Sequence, residues 1–428
     1  DLRRAQNDPE ATGRVEAVIA RTHFRRGTPE EGTARLSAHL EALDRPDASK
    51  EVRRSLANLY VGLTRLNWGN RRFAGCRDAA ERAAGHARAV EDLVLLSEAE
   101  MMRGTALLWL GVPDEALAAL KTSLALAEGP GPPAALVAAP LPSLWLAYLK
   151  RGEFDLSRGY AERGAALAEK AGDRDLLAMH TANVGLQHFY AGDWRESQEC
   201  LERAVGLARG TRLTRYSYVP SAYLGVLRKA QGAWEDANRC FSNAASLARE
   251  AGNGEGTRYA ETRLAEMDVL QDRPAEAIAR LGRRPDLSDL TWYYEVLWLS
   301  ALAEAHADTG DAVGAEEVAD LALTCARRTR DRVDGVEALR VRAKILSVRG
   351  RPEEATAALK EALSWASPMP YPYAEARLFH EYGMLHLRES EPEKARERLS
   401  AALDIFRQLG AKKDGEQTRR ALQGLGLA

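Results

Sequence analysis

Residues 192–205, GDWRESQECLERAV, contain a pattern that returns forty residues later in residues 232–245, GAWEDANRCFSNAA. In both stretches a glycine stands two positions before a tryptophan. A small residue follows at plus five, a large apolar residue at plus nine, and a small or apolar pair at plus twelve and plus thirteen. These offsets fall on one face of a helix with about 3.6 residues per turn. Each stretch therefore predicts an amphipathic helix that starts just after its glycine.

The same frame fits the whole chain when each copy is numbered from its turn residue, which we call the anchor. Ten anchors lie 38 to 44 residues apart, at Gly27, Arg71, Gly111, Gly152, Gly192, Gly232, Asp272, Gly310, Gly350 and Ser390. Arg71 and Asp272 are the weakest because neither is glycine. Self-similarity at a fixed period marks a repeat architecture. The sequence therefore predicts about ten repeats with a period near forty.

Each repeat has the features of a helical hairpin. A small residue stands seven positions before most anchors, as at Gly185 and Gly225, and would let two helices approach closely. An anchor glycine accepts the positive φ that ends the first helix. A proline two positions after the anchor, as at Pro352 and Pro392, suits the first turn of the second helix. A hairpin with one apolar face on each helix cannot bury both faces alone, so successive hairpins must stack.

This order of residues resembles the tetratricopeptide repeat (TPR). The copies are longer than the usual repeat of about 34 residues and lack its closing proline. In that form they resemble the TPR-like arrays of large bacterial ATP-dependent regulators of the maltose-activator, LuxR and SARP types, and the TPR tails of some cyclases and kinases. The resemblance implies an all-α fold, a right-handed α-solenoid of about ten helical hairpins with a C-terminal capping helix. It also implies a sensor or scaffold arm whose catalytic or DNA-binding domains lie elsewhere in the polypeptide.

Residues 1–428 are expected to form a single continuous superhelix. Possible sub-array breaks are expected near residues 129–142, 209–220 and 282–290. Pro140 and Pro142 fall where a first helix should run, so that helix should begin near Ser143 or be kinked. Residues 412–426 predict a polar capping helix, which a solenoid needs at an end.

Composition excludes several classes of function. The chain has 60 Lys and Arg against 62 Asp and Glu, a formal charge of −2. Proteins that bind nucleic acid directly usually show a basic excess, so no nucleic acid is expected as a partner. No apolar run reaches the roughly 18 residues of a membrane span, so no membrane is expected either. The start Asp1-Leu2-Arg3-Arg4 lacks signal-peptide features and suggests the cut edge of a longer protein.

The four cysteines lie far apart and form no CxxC pair. That spacing argues against a disulfide framework and against a zinc site. It fits a reducing compartment, and we expect a cytoplasmic protein.

No motif indicates catalysis. The sequence lacks GxxxxGK[ST], GxGxxG after a strand, GxSxG and HExxH. Four of the eight histidines stand four residues before an anchor, at His23, His188, His306 and His386. A side chain that recurs at one repeat position indicates packing, and acidic pairs in the first turns of second helices suit the helix dipole. We therefore expect no enzyme, no catalytic residue, no cofactor and no metal.

In TPR arrays the first helices line the concave face. The resemblance places groove positions at minus thirteen, ten, six, three and two from each anchor. In this sequence they give a partner-binding groove of Phe24, Arg65, Trp68, Met101, Trp109, Phe189, Tyr190, Lys229, Glu266, Glu304, Arg340, Lys344, His380 and Arg388. The first half is apolar and aromatic, which suits anchoring side chains, and the second half is charged with both signs, which suits specificity. The alternative is that some of these aromatics pack between helices.

The function expected from these features is non-catalytic binding. The array would hold a protein or peptide segment, a small effector or other domains of its own polypeptide. It would serve as the sensor arm of a cytoplasmic bacterial signalling or transcription regulator. The alternative is a self-association module that builds a homo-oligomer and has no groove ligand. An array that is itself an enzyme is the least favoured interpretation.

Overall fold

The computed structural model describes residues 9–26, 28–129, 134–210, 213–282 and 295–425. Throughout these ranges the chain consists of α-helices joined by short turns, and they contain no strand. None of the helices in these ranges is both long enough and apolar enough to cross a membrane.

The chain divides into two compact units, and the boundary between them lies at Ala147 and Tyr148. The helices that precede this boundary are α1 (Pro9–Arg26), α2 (Pro29–Leu43), α3 (Lys50–Gly69), α4 (Phe73–Ala89), α5 (Leu93–Trp109), α6 (Pro113–Glu128) and α7 (Ala134–Ala138). Helix α8 (Leu141–Lys150) runs across the boundary.

The second unit continues from Tyr148 in the same all-helical manner. Its further helices are α9 (Phe154–Ala171), α10 (Arg174–Ala191), α11 (Trp194–Ala208), α12 (Val219–Ala230), α13 (Trp234–Glu250), α14 (Gly254–Leu270), α15 (Pro274–Leu281), α16 (Glu295–Asp308), α17 (Ala312–Thr329), α18 (Arg332–Val348), α19 (Pro352–Ala366), α20 (Pro372–Arg388), α21 (Pro392–Leu409) and α22 (Lys412–Gly424).

Helices that flank an anchor pack against each other as a hairpin, as α10 with α11 and α20 with α21. Helix α22 packs on α21 after the last hairpin. Adjacent hairpins also touch through their first helices, as α16 with α18 and α18 with α20. This is the stacking that the two apolar faces of each hairpin require, and it confirms the predicted all-α fold of stacked helical hairpins over the described residues.

The nine described anchors lie in left-handed turns, and the tenth, Gly27, lies outside the described residues. Among the described anchors, the non-glycine residues Arg71, Asp272 and Ser390 have φ of 59°, 57° and 58°. The anchor frame therefore holds even where the favourable glycine is missing. A second set of left-handed residues, which the sequence analysis did not foresee, ends several second helices: Glu91, Gly172, Gly210, Gly252, Arg330 and Gly410.

The small residue seven positions before the anchor packs against the large apolar residue nine positions after it. A Cβ atom added at Gly225 would lie 2.6 Å from the Phe241 ring, and one at Gly185 would lie 2.8 Å from Leu201. The same pairing recurs at Gly104 with Leu120 and at Gly383 with Leu399. These contacts fix how closely the two helices of a hairpin approach, because protein interiors are packed without spare volume.

The predicted interruptions fall at turns or short helices where they are described. Helix α8 begins at Leu141, two residues before the expected Ser143. Residues 215–218 form a turn before α12. Most of the expected break at 282–290 lies outside the described residues, as do residues 130–133 and 211–212.

Candidate functional site

Six first helices of the second unit line one cavity, to which α16 contributes Leu297. Helices α10, α12, α14, α18 and α20 supply its charged and aromatic lining, which consists of Phe189, Tyr190, Lys229, Arg263, Glu266, Asp334, Glu337, Arg340, Tyr373 and Arg377, together with Tyr371 just before α20. The cavity has a volume of about 50 Å³. That is room for a few waters and not for a peptide.

The start and the end of the second unit meet beside this cavity. The ring centroids of Tyr190 and Tyr371 lie 4.8 Å apart, edge to face, and those of Trp194 and Tyr373 lie 5.4 Å apart. A Cβ atom at Gly192 would lie 2.9 Å from the Pro372 ring. Gly192 therefore serves two purposes, because it adopts a φ of 89° and also admits the N-terminal end of α20.

On one side of the cavity two cations share one carboxylate. Lys229 Nζ lies 2.6 Å from Glu266 Oε2, and Arg263 Nη1 lies 3.0 Å from both oxygens of Glu266. Burial disfavours the charged carboxylate, but Arg263 and Lys229 outweigh burial and lower the pKa of Glu266. Burial also lowers the pKa of Lys229, against the opposing effect of Glu266. This group carries one more basic than acidic residue.

On the other side Arg340 binds three carboxylates. Its guanidinium lies 3.1 Å from Glu304, 2.8 Å from Glu337 and 3.2 Å from Glu381. Arg377 Nη1 lies 2.8 Å from Glu337 as well. Arg340 is only 6% exposed, so these charges interact in a poorly screened environment.

Burial and the nearby cations act differently on these acids. Burial opposes ionisation of Glu337, but Arg340 and Arg377 lower its pKa to about 2. The pKa of Glu304 is also lowered, because Arg340 and Lys344 outweigh its burial. For Glu381 burial prevails over Arg340, and the pKa is raised.

A third buried charge cluster joins α8 to the start of α18. Lys150 Nζ lies 2.7 Å from Asp331 and also contacts Asp334. Asp331 accepts a 3.0 Å hydrogen bond from the Asp334 N–H and so caps α18. Burial raises the pKa of Asp331 to about 7, against the effect of Lys150.

His380 lies beside this charged face and has no acidic partner among the described residues. Its Nδ1 lies 2.9 Å from Thr418 Oγ1 on α22. Burial, with a smaller contribution from Arg340 and Arg377, lowers its pKa to about 4.

The NMR signal of the His380 ring is expected to titrate near pH 4, and not near the pH of about 6.5 typical of free histidine. Because the folded pKa lies below the unfolded value, the stability associated with neutral His380 is present above about pH 6.5 and is lost as the pH falls toward 4. A titration midpoint above pH 6, assigned by comparison with His380→Phe, would contradict the burial of this ring.

The structure brings together five of the predicted groove residues. Phe189, Tyr190, Lys229, Glu266 and Arg340 line the cavity. Glu304 forms ion pairs of 3.1 Å with Lys344 and with the cavity residue Arg340. Arg388 donates a 2.9 Å hydrogen bond to Ser347 Oγ. These contacts are all made within the chain and do not test whether any of the residues binds a partner. The groove assignment therefore stays a prediction.

None of the predicted residues before the unit boundary lines this cavity. Trp68 and Trp109 are buried, with ring centroids 5.4 Å apart, and both pack against Phe73. Arg65 forms an ion pair with Glu98. Met101 is half-buried. The side chain of Phe24 lies outside the described residues.

The predicted set omitted several residues that line the cavity. Arg263 and Glu337 are three positions from Glu266 and Arg340 on the same helices. Acid–base pairs at this spacing on a helix are a recognisable sequence signal. Tyr371 lies in a connector, where the repeat frame assigns no groove position.

The four histidines before the anchors share a local contact across the hairpin turn. Each approaches a polar residue five positions later. The ring Nδ1 atoms of His23, His306 and His386 lie 2.9, 3.0 and 2.7 Å from Thr28, Asp311 and Glu391, and that of His188 lies 3.6 Å from Asp193. This recurrence supports a structural role for the histidines at this position.

The described residues contain no group of three or more His, Cys, Asp or Glu side chains that could hold a metal ion. All four cysteines are free thiols. Burial raises the pKa of Cys76 and of Cys325 to about 12.

A thiol reagent such as DTNB is expected to react with the native protein in two phases. Cys200 and Cys240 are half-buried and should react first, whereas the buried Cys76 and Cys325 should wait for unfolding. Stopped-flow absorbance measures the two phases. The Cys76→Ala and Cys200→Ala variants assign them, because each variant lacks the signal of the cysteine that it replaces. Fast reaction of Cys76 in the folded protein would contradict its placement.

No family model and no curated protein matches this sequence. Among solved structures, it is similar to the apo form of RapI, with 11% identity and a TM-score of 0.46 over 64% of this chain and 98% of that chain. A Rap protein complexed with competence and sporulation factor matches with 13% identity and a TM-score of 0.43, over 88% of this chain and 98% of that one. A tetratricopeptide repeat protein from Parabacteroides merdae matches with 14% identity and a TM-score of 0.37, over 66% of this chain and 98% of that one.

Proposed function

We propose that the second unit is a non-catalytic binding module that holds a segment of a partner protein against its inner face. The inner face is the surface of α10, α12, α14, α18 and α20 around the cavity. The observation that carries this proposal is the concentration of buried charges on that surface, with the Arg340 hub on one side and the Lys229–Glu266 pair on the other. We also propose that this unit has no enzyme activity.

Stability alone does not account for these charges. Replacing a buried ion network with apolar residues of similar volume is often neutral or stabilising. Recognition gives the charges a role, because oriented groups of both signs discriminate between partner segments. Aromatic side chains such as Tyr190 and Tyr371 next to the charges supply apolar contact area.

Binding to the inner face requires the cavity to widen. A segment that carries its own acidic and basic residues would replace ion pairs made within the chain, so the charges would remain compensated throughout. The contacts that would have to yield are those between Tyr190 and Tyr371 and between Lys150 and Asp331. A ligand that binds the open form more tightly shifts the population toward it.

The proposal can be tested by selecting peptides from a displayed random library on the immobilised protein. The affinity of each selected peptide is then measured. Lys229→Met should weaken the selected peptides about tenfold, which corresponds to about 1.4 kcal/mol. This change leaves Arg263 paired with Glu266. The matched control is Arg195→Met on α11, whose partner Glu199 is exposed. Equal affinity for Lys229→Met and wild type, or failure to select any peptide, would contradict the proposal.

We further propose that this module is the sensor arm of a cytoplasmic bacterial signalling or transcription regulator. The full polypeptide would then contain a domain such as an ATPase, kinase or cyclase. Its activity should change several-fold when the selected peptide is added, and should not change in the Lys229→Met protein. A peptide that binds without altering that activity would contradict the sensor role.

Self-association remains the alternative. The exposed large apolar residues in the described chain are spread over several elements, with no more than two on any one helix, as with Val15 and Val18 on α1 or Val313 on α17. This distribution does not favour a dimer interface. Light scattering that gives the monomer mass of 46.9 kDa supports the binding module, and a stable dimer supports the alternative.

A further inference from the structure

A second open site lies before the unit boundary. Helices α2 and α4 both contact α3 and leave between them a groove of about 510 Å³. We call it the outer groove and define it by Leu40, Glu41, Leu63, Asn67, Asp78 and Arg82. Its volume lies within the range of about 300–1,000 Å³ that is typical of ligand sites.

The outer groove contains a polar side chain that the fold leaves without a partner. Asn67 is 8% exposed and lines the groove, yet its amide makes no hydrogen bond to the described part of the chain. A Cβ atom at Gly75 would lie 3.1 Å from Asn67 Nδ2, so the glycine leaves room beside this amide. Buried amides in proteins nearly always have hydrogen-bond partners. An amide can both donate to and accept from a peptide group, so Asn67 is suited to bind an extended backbone.

The charge of the outer groove is acidic. Glu41, Asp44 and Asp78 line it, against the single cation Arg82. Asp44 is already engaged, because it accepts from the Tyr60 hydroxyl and lies 3.5 Å from Arg82. Glu41 and Asp78 are exposed at the rim. Asp78 already pairs with Arg77 at 2.7 Å, but both side chains of this pair are more than a third exposed, so an incoming cation can take the place of Arg77. Glu41 makes no ion pair with the described residues and is directly available.

The floor of the outer groove is apolar. Leu40 and Ala79 are buried beneath it, and Leu63 is half-buried. A bound segment would therefore meet apolar side chains below, an unpartnered amide at Asn67 and carboxylates at the rim.

We propose that the outer groove binds a basic peptide segment. A Lys or Arg side chain of the segment pairs with the Glu41 and Asp78 carboxylates, and a neighbouring backbone amide pairs with Asn67. An apolar residue of the segment covers Leu63. The site is independent of the inner face of the second unit.

Two pooled libraries of capped, fluorescein-labelled nonapeptides test this proposal, one with Arg fixed at the centre and one with Glu. Immobilised protein should retain the Arg pool at least about tenfold more than the Glu pool at 50 mM salt, and the preference should shrink at 500 mM because exposed ion pairs are screened. Glu41→Gln combined with Asp78→Asn should abolish the preference. Both residues are exposed, so neither change threatens folding.

The matched control is Glu162→Gln, which removes an exposed carboxylate from α9 and should leave the preference intact. Asn67→Ala should reduce retention of the Arg pool while the circular dichroism spectrum stays that of the wild type. Equal retention of the two pools, or a preference that survives the double change, would overturn the proposal. A dimer that dissociates when Glu41 and Asp78 are neutralised would also overturn it, because a second copy would then occupy the groove.

Discussion

Replacing Arg340 with methionine is expected to lower the free energy of unfolding of the second unit by about 3–5 kcal/mol. The change keeps most of the side-chain volume but removes the cation that binds Glu304, Glu337 and Glu381. One buried carboxylate, Glu381, and two half-buried ones, Glu304 and Glu337, would then lose their shared partner, and an uncompensated charge in such surroundings is the costly outcome. Urea unfolding followed by circular dichroism measures the effect.

The pH dependence gives this prediction a distinct signature. In the wild type the pKa of Glu337 is lowered to about 2, so the stability it contributes is present above the unfolded pKa of about 4.5 and is lost as the pH falls toward 2. Without Arg340 the buried carboxyls favour their protonated forms. The deficit of Arg340→Met should therefore be largest near pH 7 and should narrow toward pH 4.

The control is Arg327→Met, which removes an exposed arginine paired with Glu361 and should cost less than about 1 kcal/mol. If Arg340→Met costs no more than this control, or if its deficit is the same at pH 4 and pH 7, the buried network is not as described.

Replacing Phe241 with alanine is expected to cost about 3–5 kcal/mol. Phe241 is fully buried on α13 and packs directly against Gly225 of α12. The reciprocal change, Gly225→Ala, should cost about 1–3 kcal/mol because the new methyl group would overlap the Phe241 ring. Combining Gly225→Ala with Phe241→Leu should recover part of that loss, since the smaller side chain makes room.

The matched control for Gly225→Ala is Gly206→Ala. Gly206 also lies within a helix, α11, but a Cβ atom there would meet nothing within 4 Å. Alanine should therefore stabilise by about 0.5–1 kcal/mol. Additive effects of the Gly225 and Phe241 changes in the double-mutant cycle would contradict direct packing between them.

The hairpins could be predicted from the sequence because each depends on local requirements. A left-handed turn, a helix start and a small residue seven positions earlier recur at fixed spacing, and each acts within one hairpin. Even Arg71 and Asp272 take the left-handed conformation, because the two flanking helices and their packing require it. The left-handed residues at the ends of second helices were not predicted, although four of the six are glycines and only Glu91 and Arg330 lack that signal.

The cavity could be predicted only in part. Lys229, Glu266 and Arg340 were identified because groove positions repeat with the hairpins. The contact between Tyr190 and Tyr371 joins residues about 180 positions apart, and no repeat period encodes such a contact. Tyr371 lies between α19 and α20, where the repeat frame assigns no groove position. This contact forms because the rotations between successive hairpins add up along the second unit. The sequence pattern does not predict the size of those rotations.

Hydrogen–deuterium exchange of the second unit with and without a selected peptide tests the central claim most directly, because it locates the bound segment. Binding to the inner face predicts slower exchange in α10, α12, α14, α18 and α20, and unchanged exchange in the second helices α11, α13 and α19. Slower exchange confined to the second helices of this unit would contradict the account.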